Sequence, residues 1–192
     1  MILIPLLRSY KMHVMVKGFR NNAAQALLVL LLWLFVLPSA SAQTQVGEKA
    51  PGFITSTLEG KRVALKEYWE QQGNKAIVLS FFATWCKPCK EDLKYLQGLQ
   101  EQFGGRGFQV LAVHTQDPAV KAEGVKKFLD ELQVKLPVLL DEYGIIGKRY
   151  AVIALPCNVL IDKEGTLRAK YLGYSEAVKK DFEGKFRPLL DH

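Results

Sequence analysis

The chain has 192 residues, 49% of them hydrophobic and 23% charged, with a formal net charge of +7 and three cysteines. Length and apolar content suit one compact domain, and there are no internal repeats, low-complexity tracts or second-domain linker. No basic-aromatic patch accompanies the positive charge, so the composition gives no support for a nucleic-acid partner.

Much of the charge sits at the start. Arg8, Lys11, Lys17 and Arg20 form a leader without an acidic residue, and Ala23–Leu37 is an apolar run of 15 residues interrupted only by Gln25. Ala40-Ser41-Ala42 has the small-x-small form of a signal-peptidase site. The run is short of the roughly 20 residues a membrane span needs, and an uncleaved membrane anchor is the alternative reading. No cysteine follows the site to carry a lipid. The sequence therefore predicts a signal peptide over 1–42 and a domain over 43–192. The domain is expected in the periplasm, or on the extracytoplasmic side of a bacterial membrane. The leader's four basic residues account for four of the seven positive charges, leaving +3 on the domain. Export also places the cysteines in an oxidising compartment.

The domain reads as alternating strands and helices. Phe53–Thr57 and Arg62–Leu65 flank Glu59-Gly60 and predict a hairpin. Lys66–Gln72 predicts a short helix stopped by Gly73, and Ala76–Phe82 a buried strand. Leu93, Leu96 and Leu99 stand at helical spacing within Glu91–Phe103. After a Gly104–Gly107 loop come the strand Phe108–Val113 and a helix over Ala119–Leu132, its apolar face carrying Val125, Phe128, Leu129 and Leu132. Val138–Leu140 predicts a short strand and Ile145–Tyr150 a short helix or turn. Cys157–Asp162 and Arg168–Tyr174 form a closing hairpin around Glu164-Gly165. Ser175 caps a last helix reaching about Leu190. The order gives an α/β domain, a mixed sheet with helices on both faces.

Between the buried strand and the first long helix lies Cys86-Lys87-Pro88-Cys89. The unpaired N–H groups and dipole of a helix start stabilise a thiolate there. Cys86 is then the candidate nucleophile, the more exposed of the two, and Cys89, one turn inside, the resolving thiol. Lys87 adds positive charge, and Pro88 is tolerated in a first turn. Half of a zinc site has the same spacing. Zinc needs four ligands, however, and only Cys157, His13, His114 and His192 remain, without a second Cys-x-x-Cys or a close His pair. The dithiol reading is the better one, with no metal and no organic cofactor.

Trp85-Cys86-Lys87-Pro88-Cys89-Lys90 after an apolar strand resembles the thioredoxin superfamily. Val46-Gly47-Glu48-Lys49-Ala50-Pro51-Gly52-Phe53 resembles the opening of TlpA/ResA-like proteins. Ala154-Leu155-Pro156-Cys157-Asn158-Val159-Leu160-Ile161-Asp162 resembles their cis-proline strand. The likeness runs from about Val46 to the C-terminus. It implies a thioredoxin-like fold with two additions, the N-terminal hairpin and a central αβ insertion between Thr115 and Leu155.

The same resemblance assigns roles. Cys86 and Cys89 become a redox-active disulfide. Leu155 and the cis Pro156 face the Cys86 sulfur and, with Trp85, Lys87 and Pro88, present the surface a partner meets. Asp92 stands three residues after Cys89, where the family has a proton-transferring Glu. It is one methylene shorter, and its other reading is a solvated helix acid. Ser80 takes the place of the buried Asp of thioredoxins proper. Cys157 reads as a small buried hydrophobe rather than a third redox thiol, and His114 as structural. The implied activity is thiol-disulfide exchange in the reducing direction on exported proteins, apocytochrome c among them. Electrons would come from a membrane thiol reductase of the DsbD/CcdA kind. Two other readings fit less well. Ala83 stands where a peroxiredoxin needs Thr, and Sco-like copper carriers use Cys-x-x-x-Cys with a distant His.

Overall fold

The computed structural model describes residues 44–71 and 73–191, so the predicted signal peptide over 1–42 lies outside the described residues. Seven strands form one mixed sheet: β1 (Ile54–Thr57), β2 (Arg62–Ala64), β3 (Ala76–Phe82), β4 (Phe108–Thr115), β5 (Val138–Asp141), β6 (Cys157–Asp162) and β7 (Leu167–Leu172). Their order across the sheet is β2-β1-β5-β4-β3-β6-β7. The central three, β5, β4 and β3, are parallel, while β6, β7, β1 and β2 each join antiparallel to their neighbour. The helices are α1 (Leu65–Glu70), α2 (Lys87–Phe103), α3 (Ala122–Leu132), α4 (Ile145–Arg149) and α5 (Glu176–Phe186). None among the described residues is long and apolar enough to cross a membrane.

All seven residues of β3 are buried, which is why it reads as a continuous apolar run rather than an alternating one. Alternation is still present in where the side chains go. Ala76, Val78 and Phe82 join a core with Leu93, Leu96 and Phe103 of α2, Val125 of α3 and Phe182 and Phe186 of α5. Ile77, Leu79 and Phe81 join a second core with Leu65 of α1 and Ile146 of α4. Helices therefore cover both faces, and the period of two puts Ser80 on the α2 side. β6 obeys the same rule: Leu160 packs with the α2 core, and Cys157, Val159 and Ile161 with the other.

The predicted hairpin and central insertion meet each other. β1 pairs antiparallel with β5, Ser56 opposite Leu140, so the N-terminal addition extends the sheet at the strand the insertion supplies. Boundaries moved in two instructive places. α2 begins at Lys87, four residues before the predicted start at Glu91, because Lys87, Pro88 and Lys90 of its first turn are exposed and only Cys89 turns inward, which leaves no apolar stripe there. α5 stops at Phe186 and continues as a 3-10 turn, Arg187–Asp191, rather than as an α-helix to Leu190. Pro188 has no N–H to continue the α ladder. The Gly107 turn into β4 admits no other residue. Its φ is +96°, and a Cβ there would lie 2.1 Å from the Gly73 carbonyl oxygen.

The α5 end of the core is aromatic. Phe186 is fully buried, with its ring 4.5 Å from that of Phe108 and 5.2 Å from that of Phe182, centroid to centroid. Phe186→Ala should lower unfolding free energy by about 3–5 kcal/mol in urea titration. Replacing exposed Ile54 by Ala should cost no more than about 0.5 kcal/mol in the same assay.

Candidate active site

The carboxyl end of β3 delivers Ala83, Thr84 and Trp85 to the start of α2. Cys86 is the N-cap residue, in extended conformation (φ −78°, ψ 102°), with Lys87 and Pro88 as the first two helical positions. Cys86 and Cys89 form a disulfide across the first turn, their Cα atoms 5.4 Å apart. Cys86 is only 3% exposed and Cys89 fully buried. The order expected from sequence survives, but Cys86 is not an open thiol. Its sulfur turns inward to meet that of Cys89, inside the same core cluster as Ala83 and Leu93. Exposure belongs instead to Trp85, Lys87 and Pro88, and the Trp85 residue is 60% exposed.

The Leu155–Pro156 bond is cis. Phe81 lies opposite Cys157 in the β3–β6 register, which puts Pro156 at the end of the sheet where the Cys86 turn begins. Leu155 is half-buried against the core cluster holding both cysteines. Lys170 secures the approach to this loop, donating from Nζ to the Tyr150 and Ala151 carbonyls at 2.7 and 2.6 Å. All five residues of the predicted docking surface thus gather at one end of the sheet.

Asp92 lies one turn beyond Cys89 and is 2% exposed, which removes the solvated-acid reading. Ser80 and Asn158 are a cross-strand pair on the face beneath α2. The Ser80 hydroxyl donates to Asp92 Oδ2 at 3.2 Å, and Asn158 Nδ2 donates to Oδ1 at 2.8 Å. Burial pushes the carboxyl up to about 6, and those two donors only partly offset it. A shorter acid therefore reaches its place because the strands beneath carry short polar side chains that meet it. The position that holds an acid in thioredoxins proper holds here a hydroxyl bonded to one.

The loop from β4 to α3 contributes residues that sequence reading missed. Asp117 Oδ2 accepts from the Thr84 amide at 3.0 Å, from the Thr84 hydroxyl and, at 3.3 Å, from His114 Nε2. Burial would raise Asp117, but the Thr84 hydroxyl and amide together with His114 outweigh it and hold the carboxyl below its ordinary range. Burial lowers His114, against the pull of Asp117, to which its ring is hydrogen-bonded. Gln116, at φ +57°, accepts from Trp85 Nε1 at 3.2 Å on its carbonyl and donates from Nε2 to the Val152 carbonyl at 3.3 Å. The sequence signal for these was modest: three polar residues and a proline, Thr115-Gln116-Asp117-Pro118, at the end of an apolar strand. Cys157 is fully buried and unbonded, and burial pushes its thiol up to about 11. It is a core residue on the face of the sheet away from Asp92.

A mixed sheet flanked by helices, with a Cys-x-x-Cys disulfide at a helix start and a cis-proline at the same sheet end, defines a thioredoxin-like thiol-disulfide oxidoreductase. Residues 46–170 match the AhpC/TSA family, and the chain belongs to that family. It is 33% identical over 145 residues to thiol-disulfide oxidoreductase ResA of Bacillus cereus, covering 76% of this chain and 79% of the relative. ResA of Bacillus thuringiensis is 34% identical over 139 residues, 72% of this chain and 75% of the relative. Among solved structures, a thiol:disulfide interchange protein DsbE from Chlorobium tepidum superposes with a TM-score of 0.69 at 28% identity, over 77% of this chain and 99% of its own. The ResA-like resemblance drawn from three motifs is borne out.

The buried carboxyl carries a sign that can be checked. Asp92 is raised in the folded protein from an ordinary 3.8 to about 6. Its contribution is therefore complete below about pH 4 and is lost as pH rises through 6, because the native state then has to hold a buried charge. Asp92→Asn, which does not titrate, should gain on the parent by about 2.5 kcal/mol between pH 4 and pH 7.5. Urea unfolding of the disulfide form at the two pH values measures it.

Proposed function

We propose that the protein is an exported thiol-disulfide oxidoreductase that works in the reducing direction. The observation carrying this is the Cys86–Cys89 disulfide at the start of α2, with the buried Asp92 one turn further along. In the reduced enzyme the Cys86 thiolate, stabilised by the free N–H groups of the helix start and by Lys87, attacks one sulfur of a partner disulfide. A Cys86–partner disulfide forms, and the other partner sulfur leaves as a thiolate and takes a proton. Asp92 accepts the proton of Cys89. The Cys89 thiolate then attacks Cys86, closes the enzyme disulfide and releases the second partner thiol. Two electrons have passed to the partner.

Partner docking falls to Trp85, Lys87, Pro88, Leu155 and Pro156. Export is supported by the basic leader, the apolar run and the Ala40-Ser41-Ala42 site. In an oxidising compartment the reducing direction requires a source of electrons, a membrane thiol reductase of the DsbD/CcdA kind. Exported proteins with a disulfide to be opened are the substrate class, and apocytochrome c is one of them. An equilibrium potential of the Cys86–Cys89 pair near about −270 mV against glutathione supports a reductase, and one near about −120 mV an oxidase.

The two cysteines should part company in trapping. Cys89→Ser keeps the attacking sulfur and loses the resolving one, so mixed disulfides with partners should accumulate on non-reducing gels. Cys86→Ser should give none. Equal trapping by both variants would reverse or abolish the assignment. Mass spectrometry of the exported protein should find Gln43 at the N-terminus; an intact leader in the membrane fraction would mean an anchored enzyme.

A further inference from the structure

Asp92 is held by unusual partners for a buried acid. A carboxylate kept permanently charged inside a protein is normally met by a cation or by backbone N–H groups, which can only donate. Here the polar contacts are a hydroxyl and a primary amide, both neutral, and each carries an acceptor as well as a donor. The titratable groups that face it from the packed elements are Cys89, one turn before it, and Tyr95 on α2, Cys157 on β6 and, coupled to Cys157, Lys170 on β7. None of them is hydrogen-bonded to Asp92 among the described contacts.

The amide of Asn158 is half used. Its Nδ2–H donates to Asp92 Oδ1, while its own Oδ1 is buried and has no hydrogen-bond partner among the described residues. A buried acceptor left without a donor is costly, and a native protein rarely leaves one without reason. One group beside it can become the missing donor. A carboxyl and a primary amide form a two-bond ring, N–H to one carboxyl oxygen and carboxyl O–H to the amide oxygen. The first of those two bonds is already made.

We propose that Asn158 is a positioning residue for the proton on Asp92: its Nδ2–H holds the carboxylate, and its Oδ1 accepts the carboxyl proton once Asp92 has taken it. This rests on the reading of Asp92 as the acceptor of the Cys89 proton. In that step the S–H bond of Cys89 breaks and an O–H bond forms on Asp92, with no electron transferred to the carboxyl. The new O–H points at Asn158 Oδ1, so the acid is as well bonded as the carboxylate was. The Ser80 hydroxyl, able to rotate, follows without leaving. Proton uptake and release then need no side chain to move away, which is what a group that cycles with the disulfide requires.

Infrared difference spectra of the disulfide form test this without turnover. Near pH 5 Asp92 is the protonated carboxyl that Asp92→Asn removes, and its C=O stretch reports whether the acid proton is donated. In Asn158→Leu the band should move to higher frequency, and in Asn158→Gln it should return towards the parent position. An unmoved band in a folded Asn158→Leu variant overturns the proposal, as does a band that moves in Ser80→Ala alone, since the proton then belongs to the serine. Should Asn158→Leu fail to fold, the unmutated protein decides: the Asn158 side-chain carbonyl 13C resonance should titrate with the midpoint of the Asp92 carboxyl, and one that does not respond overturns the proposal. Failure of the wider reading looks different. There the pH profile of mixed-disulfide decay would be unchanged in Asp92→Asn, whatever the infrared band does.

Discussion

A reactive sulfur in this fold depends on a helix that begins at the right place, and that place is fixed by a strand with no freedom. Every side chain of β3 is buried, its two faces committed to different cores. A shift of one residue would turn Phe81 and Phe82 into each other's core and carry Ser80 away from α2. With β3 locked between β4 and β6, the chain leaves the sheet at Ala83 in one direction only. Cys86 arrives as N-cap, where backbone N–H groups lack intrahelical partners. The chemistry of the sulfur follows from the packing of residues that never touch a substrate.

The same register also places a buried carboxyl beneath the helix. Ser80 and Asn158 are opposite each other on adjacent strands and both face α2, so the helix residue one turn beyond Cys89 comes down onto two polar groups instead of apolar ones. Burial and hydrogen bonding then pull Asp92 in opposite directions. Burial wins, and the carboxyl comes to about 6, where it can be either acid or base under mild conditions. A salt bridge would have kept it charged, and open water would have left it a stronger acid.

Elements whose signal is local were legible from the residues alone. The apolar run of β3, the leucine spacing of α2, the turn glycines and the Ser175 cap each announce themselves within a few positions, and Ser175 does accept from the Val178 amide. Non-local facts were not. Nothing in Ile54–Thr57 says that it will pair with Val138–Asp141, because that pairing joins segments some eighty residues apart. Asp92 could be suspected from its place after Cys89, but its solvation depended on the β3–β6 register. Asn158 is one polar residue in a largely apolar strand, and Asp117 one residue of a polar loop. Each acquires a role only when a partner from elsewhere in the chain, Asp92 in one case and Thr84 in the other, is brought to it.

The β4–α3 loop links parts of the site that are far apart in sequence. Gln116 receives Trp85 on its carbonyl and reaches Val152 with its side chain, while Asp117 grips Thr84. The exposed ring and the strand-leading loop with Ile153, itself 81% exposed, are therefore braced against one scaffold rather than hinged separately. A flexible apolar edge would lose side-chain and loop entropy on meeting a partner, and its affinity would fall accordingly. Bracing removes much of that loss before the encounter. An enzyme that holds a protein partner only for the span of one thiol-disulfide exchange gains from this, since its grip can come from shape already in place and its release is not delayed by loops that have to disentangle.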